Sequence, residues 1–394
     1  MREPIAAKAQ SAFERVACAV PRQWLYLFEE GGVVFSETAN RFAALDASGV
    51  AAYLALDAGA SLADLHRSIC GDLPDAAAST NLEAILALTR GIFPKDESES
   101  ESWPEPVLSE NVSRSPYSNR IDLHGIPVQV DFPAGPGGEL CRDCFRGCRT
   151  SDQLVHWKIS TEQKDAGCAI CINGQEFFSL AEESQLGLGM LHAARSLIYA
   201  QGQYDVAFHA GMVAGDDFGL LLCAPREAGK STLAAYLVAQ GFDFVADEPA
   251  LLDLTSGTAA PLRLPISLKE GSWTTLQEHW PQLASALTHV RSDGTRIRHL
   301  HPGNVSSRQR RVTQIVFPRY QPHALPELEL LSPLKKLQML HEGGLLLAKS
   351  FSRERFESFL EWLVRVPGYR MQYASLEEAQ RMLEESSAVL RICK

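Results

Sequence analysis

Residues 206–254 read VAFHAGMVAGDDFGLLLCAPREAGKSTLAAYLVAQGFDFVADEPALLDL. The decisive run within them is Ala224-Pro225-Arg226-Glu227-Ala228-Gly229-Lys230-Ser231-Thr232. The apolar run Leu220–Cys223 precedes it, and a good helix former, Ser231–Gln240, follows. Strand, tight loop and helix in that order are what a phosphate-binding loop requires. The loop's backbone N–H groups and the helix N-terminus present partial positive charge to phosphate oxygens. Lys230 has the reach to touch β- and γ-phosphates, and the Ser231 hydroxyl can ligate Mg²⁺. The usual first glycine is Ala224 here, which still lets the backbone approach closely where φ is negative. The bland alternative is a chance GKST heading an ordinary helix, and the flanking strand and helix count against it.

Seventeen residues after Lys230, Asp247-Glu248 closes a second apolar strand, Phe242–Ala246. An α/β sheet gathers its ligands at the carboxyl ends of its strands, so the pair stands where chemistry is expected. One carboxylate can hold Mg²⁺ while the other accepts a proton from an attacking hydroxyl. A solvated acidic turn is the plain alternative. His209 ends the run Val206–Phe208; a lone histidine is more often structural than catalytic.

The stretch resembles the bacterial HPr kinase/phosphorylase family. The residues that carry the resemblance are His209-Ala210-Gly211, the GKST loop, Gly241 closing the first helix, and the acidic pair. Two departures stand out: the second acid is Glu248 rather than aspartate, and the family's glutamate–arginine–glycine signature is replaced by Arg263-Leu264-Pro265-Ile266-Ser267-Leu268-Lys269. Together with Phe317-Pro318-Arg319-Tyr320, this looks like the divergent HPr-kinase-related proteins. The resemblance implies an ATP- and Mg²⁺-dependent serine kinase; the missing signature counts against phosphorylase activity and HPr as acceptor. It places residues 224–232, Arg263 and Lys269 at the nucleotide, and Ser231 and Asp247 at the metal. His209, Lys230, Asp247 and Glu248 would be catalytic. Neither an LSGGQ-like signature nor an NKxD motif points to a transport ATPase or a GTPase; a nucleotide-binding regulator without transfer activity is the reading from another class.

At 394 residues, with 45% apolar and 22% charged side chains, the chain has room for two or three globular domains. A net charge of −11 argues against a general nucleic-acid binder. No apolar run reaches a membrane span and no signal peptide is evident, so a cytoplasmic protein is expected. Nine cysteines at irregular spacing fit reduced thiols better than a disulfide framework.

Residues 1–95 read as a separate module of three strands (Trp24–Glu29, Val33–Ser36, Arg41–Leu45) and three helices (Ala47–Ala58, Leu62–Cys70 and one from about Ser79), a winged-helix-like plan. The run Arg41-Phe42-Ala43-Ala44-Leu45-Asp46 before a helix, then Ala60–Leu65 and Ala87–Phe93, is similar to the PqqD-like family. That family binds leader peptides of ribosomally made, modified peptides by adding an extended strand to a sheet edge. The resemblance implies a peptide site at Asn40, Arg41, Phe42, Ala43, Ala44 and Leu45 with Leu82, Ile85 and Leu86. The alternative is a module for packing or dimerisation, which leaves room for a homo-oligomer. Residues 96–117, rich in Ser, Glu and Pro, read as a flexible acidic linker that would hold a tethered peptide at high effective concentration.

The C-terminal domain is expected over 118–394. Cys141, Cys144, Cys168 and Cys171 have the spacing of a structural Zn²⁺ site. Their segments read as one helix face and a buried strand, however, which favours buried thiols without metal. Arg296, Arg298, His299, His301 and the run 308–311 are basic in an acidic chain, suggesting contact with triphosphate or an acidic substrate. The whole reads as a P-loop kinase domain behind a winged-helix-like domain. The acceptor implied by both resemblances is a Ser/Thr hydroxyl of a ribosomal precursor peptide; another protein or a small hydroxyl compound is the runner-up.

Overall fold

The computed structural model describes residues 13–70, 76–93, 106, 117–216, 218–225 and 227–392. Of the expected linker 96–117, only Pro106 and Tyr117 fall within the described residues. The backbone is mixed α/β, with five sheets among the described residues, and divides into two units. One unit combines residues 1–100 with 331–338 and 349–365; the other holds 101–330, 339–348 and 366–394. Among the described residues no helix is long and apolar enough to cross a membrane.

The first unit is built on a four-stranded antiparallel sheet in the order β1 (Glu14–Ala17), β2 (Gln23–Phe28), β3 (Gly31–Ser36), β4 (Arg41–Asp46). Three helices follow, α1 (Ala47–Asp57), α2 (Leu62–Cys70) and α3 (Ala76–Thr89). The expectation of three strands missed β1, whose mostly exposed residues carry no alternating pattern; it forms because the edge of β2 supplies its hydrogen bonds. Asp46 starts α1 as an N-cap, accepting from the Gly49 N–H at 2.7 Å. Buried Gln23 ties sheet to helices, donating to Tyr53 Oη and to the Leu88 carbonyl, each at 2.7 Å.

All six residues of β3 are buried, which is the mark of a strand covered on both faces. One face packs Leu25, Val34 and Leu45 against Tyr53, Leu88 and Phe93. The other receives the helix Arg353–Arg365: Phe356 stacks on Phe35 with centroids 4.1 Å apart and also touches Tyr26 and Phe42. Phe356 and Phe359 are fully buried. Residues 331–338 and 349–365, expected in the C-terminal domain, therefore belong to the N-terminal sheet. The physical reason is that this sheet has two apolar faces and its own α1 and α3 cover one.

Lys336, 2% exposed in this unit, donates its ammonium to the Leu363 carbonyl. Burial pulls its pKa down to about 8. Between pH 8 and the ordinary lysine value the unfolded chain holds a proton that the folded chain has released, so stability rises with pH across that window. Relative to Lys336→Met, the wild-type unfolding free energy should gain on the order of 2 kcal/mol between pH 8 and 10. Urea unfolding at both pH values checks this, and parallel profiles would refute it.

The second unit holds the loop. Its main sheet runs Asp243–Asp247, Ala210–Ala214, Gly219–Cys223, Gln314–Tyr320, Gly368–Tyr373, Glu327–Leu330. Gly219–Cys223 is buried throughout and lies parallel to Gln314–Tyr320. The helix Lys230–Ala239 buries Leu233 through Val238 in a core shared with Ile266, Leu268, Met371 and Tyr373. A three-stranded sheet, Ile266–Lys269, Arg296–Leu300 and Thr288–Val290, carries the Pro-Ile-Ser-Leu-Lys segment.

Candidate nucleotide site

Strand Gly219–Cys223 ends at Ala224, and the chain turns through residues 224–229 into the helix at Lys230. Left-handed backbone falls on Glu227 (φ 73°) and on Gly229 (φ 91°), the residue that caps the helix. Ala224 is not among the left-handed positions, so alanine is tolerated where the motif usually has glycine. Lys230 is 9% exposed and folds back over the loop, donating to the carbonyls of Ala224 at 2.6 Å and Pro225 at 3.3 Å. Burial lowers its pKa, and the nearby carboxylates Asp247 and Glu248 oppose that shift. Lys269 reaches the loop by pairing with Glu227 at 2.9 Å. Ala228 offers its carbonyl to the Tyr320 N–H at 3.5 Å, and Thr232 sits half-buried in the first helical turn. Arg226 lies outside the described residues.

The acidic pair stands beside the loop because Asp243–Asp247 lies antiparallel to Ala210–Ala214, with Asp247 opposite Gly211. Asp247 is 3% exposed; one oxygen accepts from Ser231 Oγ at 3.2 Å and the other from the Ser267 N–H at 3.2 Å. A P-loop serine touching a strand-end aspartate is the donor pair that holds Mg²⁺ in such sites, so these residues fit the ion. Burial and then the adjacent Glu248 charge push the Asp247 carboxyl above its ordinary range.

Glu248 differs in every respect. Its φ of 48° is left-handed, a conformation that carries strain in a non-glycine residue and recurs at functional sites. Its carboxylate lies 3.0 Å from His209 Nδ1 and 4.0 Å from Arg195 Nη1, with about a third of the side chain exposed. Burial pulls its pKa upward, but Arg195 and the His209 hydrogen bond outweigh it, so Glu248 stays ionised well below the usual range. The His209 N–H donates to the Gly344 carbonyl at 2.8 Å, and a Cβ at Gly344 would lie 2.9 Å from the His209 Cβ. Two neighbouring acids are thus pushed apart in pKa, one accessible and ionised, one buried beside the loop serine.

Arg195 is a site residue that the sequence pattern did not bring out. It is the one charged residue in the helix Leu186–Gln201, LGLGMLHAARSLIYAQ, and a lone charge in an apolar helix was its signal. Among the described residues its Nε and Nη2 are buried without a hydrogen-bond partner, as is Ser267 Oγ. Such orphaned donors around two carboxylates suit an anionic ligand.

Other expected residues lie elsewhere. The Arg263 carbonyl accepts from Cys148 Sγ at 3.6 Å. Arg298 lies over the Trp273 ring at 4.0 Å, Arg296 pairs with Glu270, and Arg310 pairs with Asp243, so these cations serve neighbours within the fold. His299 is buried and His301 is 10% exposed. Cys141, Cys144, Cys168 and Cys171 are all buried free thiols; among the described residues only Cys144 joins a group of close metal donors, and its companions are histidines. In the first unit a groove of about 670 Å³ is lined by Ala43, Ala44 and Leu45 of β4 and by Leu82 and Ile85 of α3. Asn40 and Phe42 turn away from it: Asn40 Oδ1 accepts from the Phe351 N–H at 2.9 Å and Phe42 packs on Phe356. Arg41 and Leu86 do not line it either.

No family model matches the chain, and no curated protein matches it. Among solved structures it is similar to the Hpr(Ser) kinase/phosphatase from Coxiella burnetii, at 12% identity and a TM-score of 0.23, covering 46% of this chain and 97% of the other. A likeness of that size carries no weight for function.

Proposed function

We propose that the chain is an ATP- and Mg²⁺-dependent kinase that phosphorylates a Ser or Thr hydroxyl of a ribosomally made precursor peptide held by its N-terminal module. The observation that carries this reading is the Ser231–Asp247 pair, 3.2 Å apart under a loop closed by Lys230. Beside it stands the accessible Glu248 carboxylate, oriented by His209. Ser231 and Asp247 would hold Mg²⁺, which when bound would offset the negative charge of the phosphates. Lys230 and the loop N–H groups bind the phosphates, while Glu248 takes the proton of the acceptor hydroxyl as its oxygen bonds to the γ-phosphorus and ADP leaves. The peptide part rests on the groove between β4 and α3. β4 is the last strand of its sheet, and an extended chain can add there with its side chains on the apolar floor.

Deleting the N-terminal module would strip the cover from Phe356 and Phe359, so groove substitutions in the full chain are the cleaner test. Ala84 lines the groove and is exposed. Ala84→Glu should raise KM for a leader–core peptide about tenfold or more, leaving kcat at saturating peptide and nucleotide affinity unchanged. A leaderless core peptide phosphorylated equally well by wild type and variant, with equal KM to the intact precursor, would defeat peptide recruitment. Nucleotide binding with no labelled acceptor would favour a regulator.

A further inference from the structure

A second cluster of reactive side chains lies apart from the contacts of the loop. The helix Pro136–Phe145 supplies Asp143 and Cys144, and the strands Thr288–Val290 and Arg296–Leu300 supply His289 and His299. Cys144, His289 and His299 are all buried, and one donor atom of each lies within 4.8 Å of the other two. Cys144 Sγ is 3.5 Å from His299 Nδ1. The Asp143 Oδ2 atom is 3.2 Å from His289 Nε2 and 3.6 Å from His299 Nδ1. Tetrahedral zinc, with Zn–N near 2.05 Å and Zn–S near 2.3 Å, sets neighbouring donors about 3.3–3.6 Å apart. The Cys144–His299 spacing has that size.

Hydrogen bonding alone leaves the cluster unsatisfied. Among the described residues, His289 Nδ1, His299 Nε2 and both ring nitrogens of His301 are buried without a hydrogen-bond partner, although His301 Nε2 stands 3.7 Å from Asp143. Native interiors seldom leave so many buried polar atoms orphaned in one place. Packing is tight as well: a Cβ on Gly187 would come within 2.7 Å of His289 Nδ1, and Cys144 Sγ donates to the Gly187 carbonyl at 3.1 Å. Charge points the same way. A Cys144 thiolate and the Asp143 carboxylate together balance a divalent cation, with the imidazoles neutral.

We propose that Cys144, His289 and His299 ligate a structural Zn²⁺ ion, with the Asp143 carboxylate against both imidazoles. Sulfur and imidazole donors in a closed, buried setting select zinc over Mg²⁺ or Ca²⁺, which prefer oxygen. The ion joins the helix Pro136–Phe145 to the sheet whose first strand, Ile266–Lys269, sends the Ser267 N–H to Asp247 and Lys269 to Glu227. It would hold that strand in register with the nucleotide loop.

The test is the metal content of the full chain, purified from zinc-supplemented cells and dialysed against metal-free buffer. About one zinc per chain is expected in the wild type and in Cys168→Ala, a buried thiol outside the cluster. Cys144→Ala and His299→Ala should each fall below about a tenth of that. Stripping the wild type with a strong chelator should lower Tm by roughly 10 °C, restored by added Zn²⁺. Should the variants fail to fold, Co²⁺ added to the stripped wild-type chain must give a thiolate-to-cobalt charge-transfer band. A folded wild-type chain with neither zinc nor that band overturns the proposal, as does full zinc retention in Cys144→Ala.

Discussion

Phosphotransfer from ATP is expected to fall by about 10³-fold or more in Lys230→Ala, because catalysis of this reaction is positioning and charge with little covalent work by protein groups. Lys230 is the buried cation of the loop, and its removal takes away the charge that would meet the β- and γ-phosphates. It also leaves the carbonyls of Ala224 and Pro225 without their ammonium donor, which costs about 1–3 kcal/mol of stability on its own. Lys230→Met keeps the side-chain volume and loses only the ammonium, so it should be less destabilised than Lys230→Ala and equally inactive. Incubation with γ-labelled ATP and acceptor peptide reads the rate, and calorimetry reads nucleotide affinity. Activity within a few fold of wild type in Lys230→Met would show that another group holds the phosphates.

The second large effect separates the two acids. Asp247 contacts the loop serine and the Ser267 N–H, whereas Glu248 contacts His209 and faces Arg195. Asp247→Asn should therefore abolish the Mg²⁺ dependence of nucleotide binding and weaken binding itself. Glu248→Gln should bind nucleotide with nearly wild-type strength yet turn over about 10²–10⁴-fold more slowly. Titration with nucleotide at several Mg²⁺ concentrations, beside single-turnover rates, distinguishes them. Wild-type affinity and Mg²⁺ dependence in both variants would mean that neither carboxylate holds the metal.

Several elements were legible in the chain because their chemistry is local. A phosphate loop needs its N–H groups on consecutive residues, so strand, loop and helix announce themselves between 219 and 240, and the structure has them there. The helix expected over Ala47–Ala58 and found over Ala47–Asp57 is equally local. The short strand Glu14–Ala17 was not legible, since its pattern carries no alternation and its order comes from its neighbour. Arg298 illustrates the opposite error: a basic residue in an acidic chain suggested phosphate, but the ring of Trp273 and the Leu283 carbonyl hold its guanidinium.

By itself the sequence determined the strand, loop and helix between 219 and 240 and the paired acids a short strand further on, because each depends on residues within one or two elements. Only the tertiary structure decided that Arg195 faces Glu248, that Gly344 closes against His209, and that the helix Arg353–Arg365 covers the sheet of the first unit. Periodicity says that a helix has an apolar face, but not which sheet has room for it. That choice depends on which apolar surfaces other elements leave uncovered, and β3, buried on both sides, left one that α1 and α3 do not cover.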